Sequence, residues 1–485
     1  MVSSAMRLLI VRHPALVVFI VALLLRFAYV PLAVNLPFND MGCFWYDGLA
    51  IASGAGMGES LNYPLYSYFL AGLIRLFGPL PAAVHAVQAV LGAGIPLLAF
   101  LLGSRIHNVR AGWFAGAATA LFPDLIFYCA IELPETIYLL LLLTAALNAA
   151  LLLAGTRSWW PVAALGAVLG LAQLARPFGL HYLVALTLLL VLYRRRIPSV
   201  WAKLALMFGL ALLVGLPWAM RQYYRYGVFS FTSTKAGYFL YGATVDVPGH
   251  DGLLASFPEE LRRDPTVGPL AMRLQPSMPP GASVLGHPLL NAPLERLAKA
   301  RIAAHPGTYA RHCIERVFFF FFRNGDWFLE LYPTFGLARG WWYDTLIYGV
   351  LLLGAVGMIR ACRQPAALPL VALIVLSAMA TAATVYVTRY RLPVMPPMLI
   401  FAAVTLADYS RLARWSAALF AIMLFTRLLQ YPGLADERYN SARFFLLFND
   451  RTNASRNLDA ISDPHFRHRG SALLLRYDTW IRENQ

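Results

Sequence analysis

The chain has 485 residues, 59% of them hydrophobic and 13% charged, where a soluble domain carries about 25% charged and roughly 45–50% apolar residues. Its 40 Lys and Arg outnumber 24 Asp and Glu, a formal net charge of +16. The basic residues fall between apolar segments, which points to membrane orientation and anionic head groups and not to nucleic acid. Cys43, Cys129, Cys313 and Cys362 show neither a CxxC nor metal-ligand spacing, so no zinc site and no disulfide framework is read from them.

About 20 apolar residues are needed to cross the hydrocarbon core. On that rule the sequence predicts an all-α polytopic membrane protein with roughly eleven transmembrane helices. They fall near 13–34, 81–104, 111–130, 133–154, 160–176, 178–193, 203–220, 341–360, 366–386, 391–408 and 415–430. The opening apolar run is too long for a signal peptide and is expected to stay as the first helix. Arg7, Arg12, Arg105, Arg110, Arg157, Arg194, Arg195, Arg196, Lys203, Arg360, Arg363, Arg411 and Arg414 all fall on one side of this arrangement, which assigns that side to the cytoplasm. Four regions follow. Residues 1–220 form an N-terminal transmembrane module with a first outer loop at 35–62 and an interfacial helix at 63–78. Residues 221–340 form a mixed outer segment, 341–430 the C-terminal membrane helices, and 431–485 an outer-face tail.

Acids gather at the outer ends. Asp40 and Asp47 stand in "NLPFNDMGCFWYDGLA", Asp124 in "LFPDLIFY", and Glu132 and Glu135 in "IELPETIY". Carboxylates near a bilayer are costly and tend to be paired or functional. Asp47, Glu59 and Glu132 read first as solvated loop residues or caps. Asp40 lies about six residues past a membrane helix among large apolar side chains, where a carboxylate could take a proton from an incoming hydroxyl. Glu135 opens a helix, a position the helix dipole favours. Phe44, Trp45 and Tyr46 suit an interfacial belt, with sugar stacking as the alternative. The run Phe318–Phe322 reads as an interface-embedded helix. Arginines also lie at the outer ends: Arg176 in "LARPFGL", Arg221 in "PWAMRQYYRYG", and Arg389 and Arg391 in "VTRYRLP". Their planar donor fork suits phosphate oxygens, while snorkelling to the interface is the ordinary alternative. A hydroxyl-activating acid beside phosphate-binding arginines suggests group transfer from a lipid phosphate.

"NDMGCFWYDGLAIASGAG" followed by "YPLYSYFLAGLIRLFG" resembles the first outer loop of the C-type (GT-C) membrane glycosyltransferases. That group includes the protein O-mannosyltransferases and the bacterial transferase that adds aminoarabinose to lipid A. Further likenesses follow in order: "ELPETIYLLLLLTA", "GLAQLARPFGLHYL", "GLPWAMRQYYRYGVFSFTSTKAGYFLYGA" and "TRYRLPVMPPMLIFAA". Two departures stand out. "NYPLY" replaces a double proline common in relatives, and Asp124, Glu132 and Glu135 compete for the second acid, with Glu135 favoured.

The resemblance implies a GT-C-like helical bundle that transfers a sugar from a polyprenyl-phosphate carrier, with inversion, to a lipid, glycan or protein acceptor on the outer face of a bacterial inner membrane. It implies catalytic roles for Asp40 and Glu135. Arg176, Arg221, Arg389 and Arg391 are the candidates for donor phosphate, and Asp47, Tyr46, Tyr63 and Asp124 for substrate contacts. No cofactor follows with certainty, the carboxylates leave a divalent cation open, and no nucleic acid is expected. The rival class, a multi-span lipid or sugar transporter, would place charges near mid-bilayer in broken helices with repeated halves. No such repeat is visible.

Overall fold

The computed structural model describes residues 13–32, 40–57, 62–231, 235–244, 259–277, 284–322, 341–386, 388–408 and 459. Arg7, Arg12, Glu59, Arg411, Arg414, the helix expected at 415–430 and all of the tail but Asp459 lie outside them. Helices and their short 3₁₀ extensions make up the secondary structure, with no strand among the described residues.

In chain order the helices are α1 (Pro14–Tyr29), α2 (Asp40–Ala52), α3 (Pro64–Phe77), α4 (Pro81–Ile106), α5 (Val109–Leu121), α6 (Pro123–Phe127), α7 (Glu135–Leu153), α8 (Trp160–Ala175), α9 (Phe178–Leu192) and α10 (Val200–Tyr226). After them come α11 (Ala236–Thr244), α12 (Glu259–Arg263), α13 (Val267–Leu274), α14 (Pro288–Ala304), α15 (Pro306–Phe322), α16 (Trp341–Ala361), α17 (Leu368–Ala383) and α18 (Met395–Ala407). Proline near the first position opens α1, α3, α4 and α8, where its missing N–H costs nothing. Asn108 caps α5 by accepting from the Ala111 N–H at 2.9 Å. Gly227, at φ 68°, closes α10 in the left-handed conformation.

Among the described residues, α4, α7, α10, Pro365–Ala383 and Arg389–Ala407 are each long and apolar enough to cross a membrane. The pair Val109–Leu121 and Pro123–Ala130 makes one further span bent by 62°. Shorter apolar helices supply the rest: α1, α3, α8, α9 and Thr345–Ala361. Apart from 111–130, each membrane helix expected before residue 409 coincides with one helix, although by length alone fewer qualify than the roughly eleven expected. The segment expected as one helix at 111–130 breaks at Phe122, whose extended ψ of 120° is what a following proline imposes. Between 227 and 322 the described secondary structure is helical (α11–α15 with short 3₁₀ turns), and α13 and α14 pack with α11 around Tyr241, Val267, Leu290 and Leu294.

Close helix packing uses small residues, as expected where lipid is as apolar as leucine. A Cβ on Gly357 of α16 would lie 1.8 Å from the Phe401 carbonyl of α18, and one on Gly166 of α8 would lie 2.6 Å from the Met207 carbonyl of α10. The 40–57 region, expected as part of the first outer loop, is instead helical from Asp40 to Ala52. It rests on α3 at Gly48, where a Cβ would lie 2.9 Å from that of Leu70. Arg75 of α3 then caps the far end of α2, donating to the Ala52 and Ile51 carbonyls at 3.1 and 2.9 Å. Lys203, read from sequence as an orientation marker, is 3% exposed and donates to the Thr156 carbonyl at 2.8 Å.

Candidate functional site: a carboxylate and cation cluster at the helix ends

Six segments far apart in sequence bring their ends together. Asp40 begins α2, Tyr63 precedes α3, Glu135 begins α7, Arg176 ends α8, Lys235 precedes α11, and Arg389 and Tyr390 lie in the turn before α18. Arg389 Nη2 donates to Asp40 Oδ2 at 2.5 Å. Arg176 Nη2 donates to Glu135 Oε1. Tyr390 ties the two ion pairs together: the guanidinium carbons of Arg176 and Arg389 lie 5.6 and 5.8 Å from its ring centre. Tyr63 receives Arg176 on the other side at 6.0 Å. These are cation–π distances.

The electrostatics favour an anion. Arg176, Lys235 and Arg389 all act on Asp40, and Glu135 is the cluster's other carboxylate. Three cations thus face two acids. Burial works to raise the Asp40 carboxyl, but Arg389, Lys235 and Arg176 outweigh it and bring it down to about 2. Burial pushes Lys235 below its usual value although Asp40 pulls it back up. Burial and the Asp40 charge lift the Cys43 thiol to about 11, so Cys43 stays protonated and is no nucleophile. Glu135 Oε2, Arg389 Nε and the Tyr138 hydroxyl, one turn along α7 from Glu135, are buried and have no hydrogen-bond partner among the described residues. Buried polar atoms left open in this way are the ones a ligand satisfies.

A polar frame positions Glu135. Gln88 of α4 donates to the Cys129 and Ile131 carbonyls at 3.1 and 2.8 Å and accepts from the Tyr66 hydroxyl at 2.8 Å. Thr136 Oγ1 donates to the Tyr128 carbonyl at 2.8 Å. Glu132 contacts His85 Nε2 at 2.9 Å with both side chains 1% exposed. It is neither a solvated loop residue nor part of the cluster. The three acids that competed in the sequence thus divide. Glu132 is held by His85. Asp124 accepts from the Tyr343 hydroxyl at 3.0 and 2.8 Å. Glu135 alone of the three pairs with a cluster arginine.

The remaining sequence candidates sit apart from these ion pairs. Asp47 is buried within α2 and not solvated, and accepts from Asn62 Nδ2 and Ser67 Oγ at 3.3 Å each. Arg221 donates to the Met57 carbonyl and covers Trp218 at 4.9 Å. Arg391 donates to the Phe321 carbonyl at 3.4 Å. Phe44 and Trp45 are buried, with Phe44 edge-on to Tyr66 at 5.2 Å, so of the three aromatics only Tyr46, 58% exposed, is free to meet an interface. In the Phe318–Phe322 run Phe320 is fully buried while Phe322 is 37% exposed. Lys235 and Tyr390 were missed by sequence reading. Lys235 carries a weak signal, being the sole lysine in the "FTSTKAGYFLYGA" stretch that carried the resemblance.

No group of three His, Cys, Asp or Glu able to hold a metal ion occurs among the described residues. Asp40 and Glu135 do not fit a divalent cation either, since each is engaged by an arginine and surrounded by surplus positive charge.

Residues 62–219 match the dolichyl-phosphate-mannose-protein mannosyltransferase family. That stretch holds Tyr63, Glu135 and Arg176 and bears out the resemblance to polyprenyl-phosphate-dependent glycosyltransferases. No curated protein matches the sequence. Among solved structures, the chain is similar to the oligosaccharyltransferase AglB from Archaeoglobus fulgidus in complex with an inhibitory peptide and a dolichol-phosphate. The identity is 15% and the TM-score 0.49, over 93% of this chain and 59% of that one. It is also similar to ArnT from Cupriavidus metallidurans bound to undecaprenyl phosphate, at 16% identity and TM-score 0.39 over 83% and 79% of the two chains. The chain thus spans 59% of the length of the oligosaccharyltransferase it matches.

Proposed function

We propose that the protein is a membrane glycosyltransferase that moves a sugar from a polyprenyl-phosphate carrier to a lipid, glycan or protein acceptor, with inversion at the anomeric carbon. The active site would face the periplasm from the bacterial inner membrane. The observation that carries this reading is an ionised carboxylate, Asp40, paired with Arg389 inside a cluster where cations outnumber acids. The match of residues 62–219 to the mannosyltransferase family supports it.

In this reading the acceptor hydroxyl gives its proton to Asp40 as its oxygen bonds to the anomeric carbon. The bond from that carbon to the carrier phosphate breaks, and polyprenyl phosphate leaves. Charge develops on the leaving phosphate, where Arg389, Lys235 and Arg176 meet it; stabilisation aimed at developing charge is the largest common contribution to catalysis. A carboxyl held at about 2 is a poor base at neutral pH. A phosphate that engages Arg389 draws the guanidinium's field onto itself and restores the basicity of Asp40. Donor binding and base activation are then one event. Glu135, held by Arg176 through one oxygen, has its second oxygen open to a hydroxyl of the donor sugar.

The test is reconstitution of purified protein with polyprenyl phosphates carrying labelled sugars, mannose first, plus an envelope extract. Label should move covalently to an acceptor with matching release of polyprenyl phosphate. Label crossing the membrane without a covalent product would overturn the reading in favour of transport.

A further inference from the structure

Tyr138 belongs to neither the ion pairs nor the polar frame. It lies three residues along α7 from Glu135, the first residue of that helix, and side chains at this spacing are neighbours on a helix face. Long side chains on a helix lean back toward its N-terminus, so the Tyr138 phenol leans toward the cluster. The charges of Arg176 and Glu135 act on its hydroxyl, as do the phenols of Tyr63 and Tyr182. Tyr138 is 2% exposed, and its hydroxyl has no hydrogen-bond partner among the described residues. All of these groups fall within 62–231, which the structure describes without a break. Tyr182, in the same buried cluster, is already committed, donating to the Pro369 carbonyl at 2.9 Å.

A buried hydroxyl without a partner is costly, and phenylalanine would fill the same place without that cost. A hydroxyl there fits a partner that arrives in another state of the protein. Glu135 is the group that needs one. Arg176 holds it through Oε1, and Arg176 is the more open of the two, its side chain 16% exposed against 5% for Glu135. An incoming anion therefore meets the arginine first. In the glycosyltransferase reading that anion is the carrier phosphate. A guanidinium turned to phosphate donates less to Glu135, and a buried carboxylate that loses its donor is costly unless another replaces it.

We infer that Tyr138 is a positioning residue for Glu135. Its hydroxyl donates to the Glu135 carboxylate once the carrier phosphate draws Arg176 away, leaving the other carboxylate oxygen for the sugar. The hydroxyl proton rotates about its C–O bond to suit an acceptor, so the exchange needs no movement of the backbone. Glu135 then stays ionised and in place through donor binding. The inference rests on the reading above in one respect, that a polyprenyl phosphate engages Arg176.

The experiment uses the full chain in neutral detergent and measures equilibrium binding of labelled polyprenyl phosphate beside the Tm without ligand. Tyr138→Phe should keep or raise the Tm, since the ring stays and only an unpartnered hydroxyl goes, while carrier affinity falls about tenfold. Tyr182→Phe should do the reverse, lowering the Tm through the lost bond to Pro369 and keeping wild-type carrier affinity. In a Glu135→Ala background Tyr138→Phe should cost no further affinity, because the two act through one carboxylate. Wild-type carrier affinity in Tyr138→Phe overturns the inference. So does a loss of affinity that comes with a fall in Tm, a loss that persists undiminished in Glu135→Ala, or a wild type that binds no carrier. The contrast between Tyr138→Phe and Tyr182→Phe decides even where Glu135→Ala is too unstable to assay. The glycosyltransferase reading fails on a different result: the expected binding pattern without covalent transfer of sugar would remove that reading and leave the role of Tyr138 standing.

Discussion

Asp40→Asn is expected to bind the carrier more tightly while losing turnover. In the proposed reaction Asp40 and the carrier phosphate share Arg389, so the carboxylate would compete with the substrate for that guanidinium. The structure sets the size of the competition. The Asp40 carboxyl moves from its usual 3.8 to about 2, which at about 1.4 kcal/mol per pKa unit corresponds to roughly 2 kcal/mol of net attraction to the surrounding cations. The side chain is 40% exposed, and solvent screening at such a site removes about half of that. About 1 kcal/mol remains, roughly a fivefold gain in affinity for polyprenyl phosphate when the charge is removed. Asparagine keeps the size of the side chain but cannot accept the acceptor's proton, so turnover should fall by about 10²-fold or more. Equilibrium binding of labelled polyprenyl phosphate to detergent-solubilised protein reads the first effect, and single-turnover transfer the second. Unchanged or weaker carrier binding by Asp40→Asn would show that the phosphate does not compete for Arg389. Wild-type turnover in the same variant would remove Asp40 as the base.

The other predictions concern the arginines, the acid limb and the packing. Arg389→Lys and Arg176→Lys should each weaken carrier binding about tenfold, because a point charge cannot reproduce a planar fork. Arg221→Lys and Arg391→Lys, which donate to the Met57 and Phe321 carbonyls, should lower Tm and leave carrier affinity alone; equal loss of affinity across all four would return the phosphate role to the whole set. The folded-state pKa of Asp40 lies below its unfolded value, so its contribution to stability is present above about pH 4 and is lost as pH falls through about 2. The Tm difference between wild type and Asp40→Asn should be flat from pH 7 to about 4 and disappear below that, and a difference that fades already near pH 6 would contradict it. Gly357→Ala should destabilise by about 1–3 kcal/mol through overpacking, read as a lower Tm, since its methyl would fall 1.8 Å from the Phe401 carbonyl.

The membrane helices were legible because their signal is compositional: uninterrupted apolar runs with arginines between them. Asp40, Glu135, Arg176 and Arg389 were legible for the opposite reason, as charges at the ends of such runs. What stayed hidden depends on which face a residue presents. Glu132 and Glu135 are three residues apart, yet one meets His85 and the other Arg176. Asp40 and Asp47 fall on one face of α2, two turns apart. Asp40 at the helix end reaches Arg389, while the deeper Asp47 reaches Asn62 and Ser67. Helix α2 itself was masked by Gly42 and Gly48, residues that disfavour helix. At Gly48 the close approach of Leu70 supplies the reason for the glycine. Arg26 gave the least warning. Within the apolar "LLLRF" it is 0% exposed and donates to the Ala22 and Leu125 carbonyls at 3.1 and 3.5 Å.

The pairing of Asp40 with Arg389 also answers a problem set by the surroundings. An unpaired carboxylate or guanidinium taken from water into apolar surroundings is costly, and a carboxyl there neutralises instead. Joined, both remain charged, which in the proposed reaction would keep the base ionised and the phosphate's partner in place. The third cation, Lys235, leaves positive groups in excess over the two carboxylates. In the proposed reaction the consequence is a fixed order of events. Until phosphate occupies Arg389, Asp40 would be too weak a base to activate a hydroxyl, whether that of an acceptor or of a stray water. Once it does, the base and the leaving group's partner would become competent together. Chemistry would thereby be confined to the state in which the donor is seated.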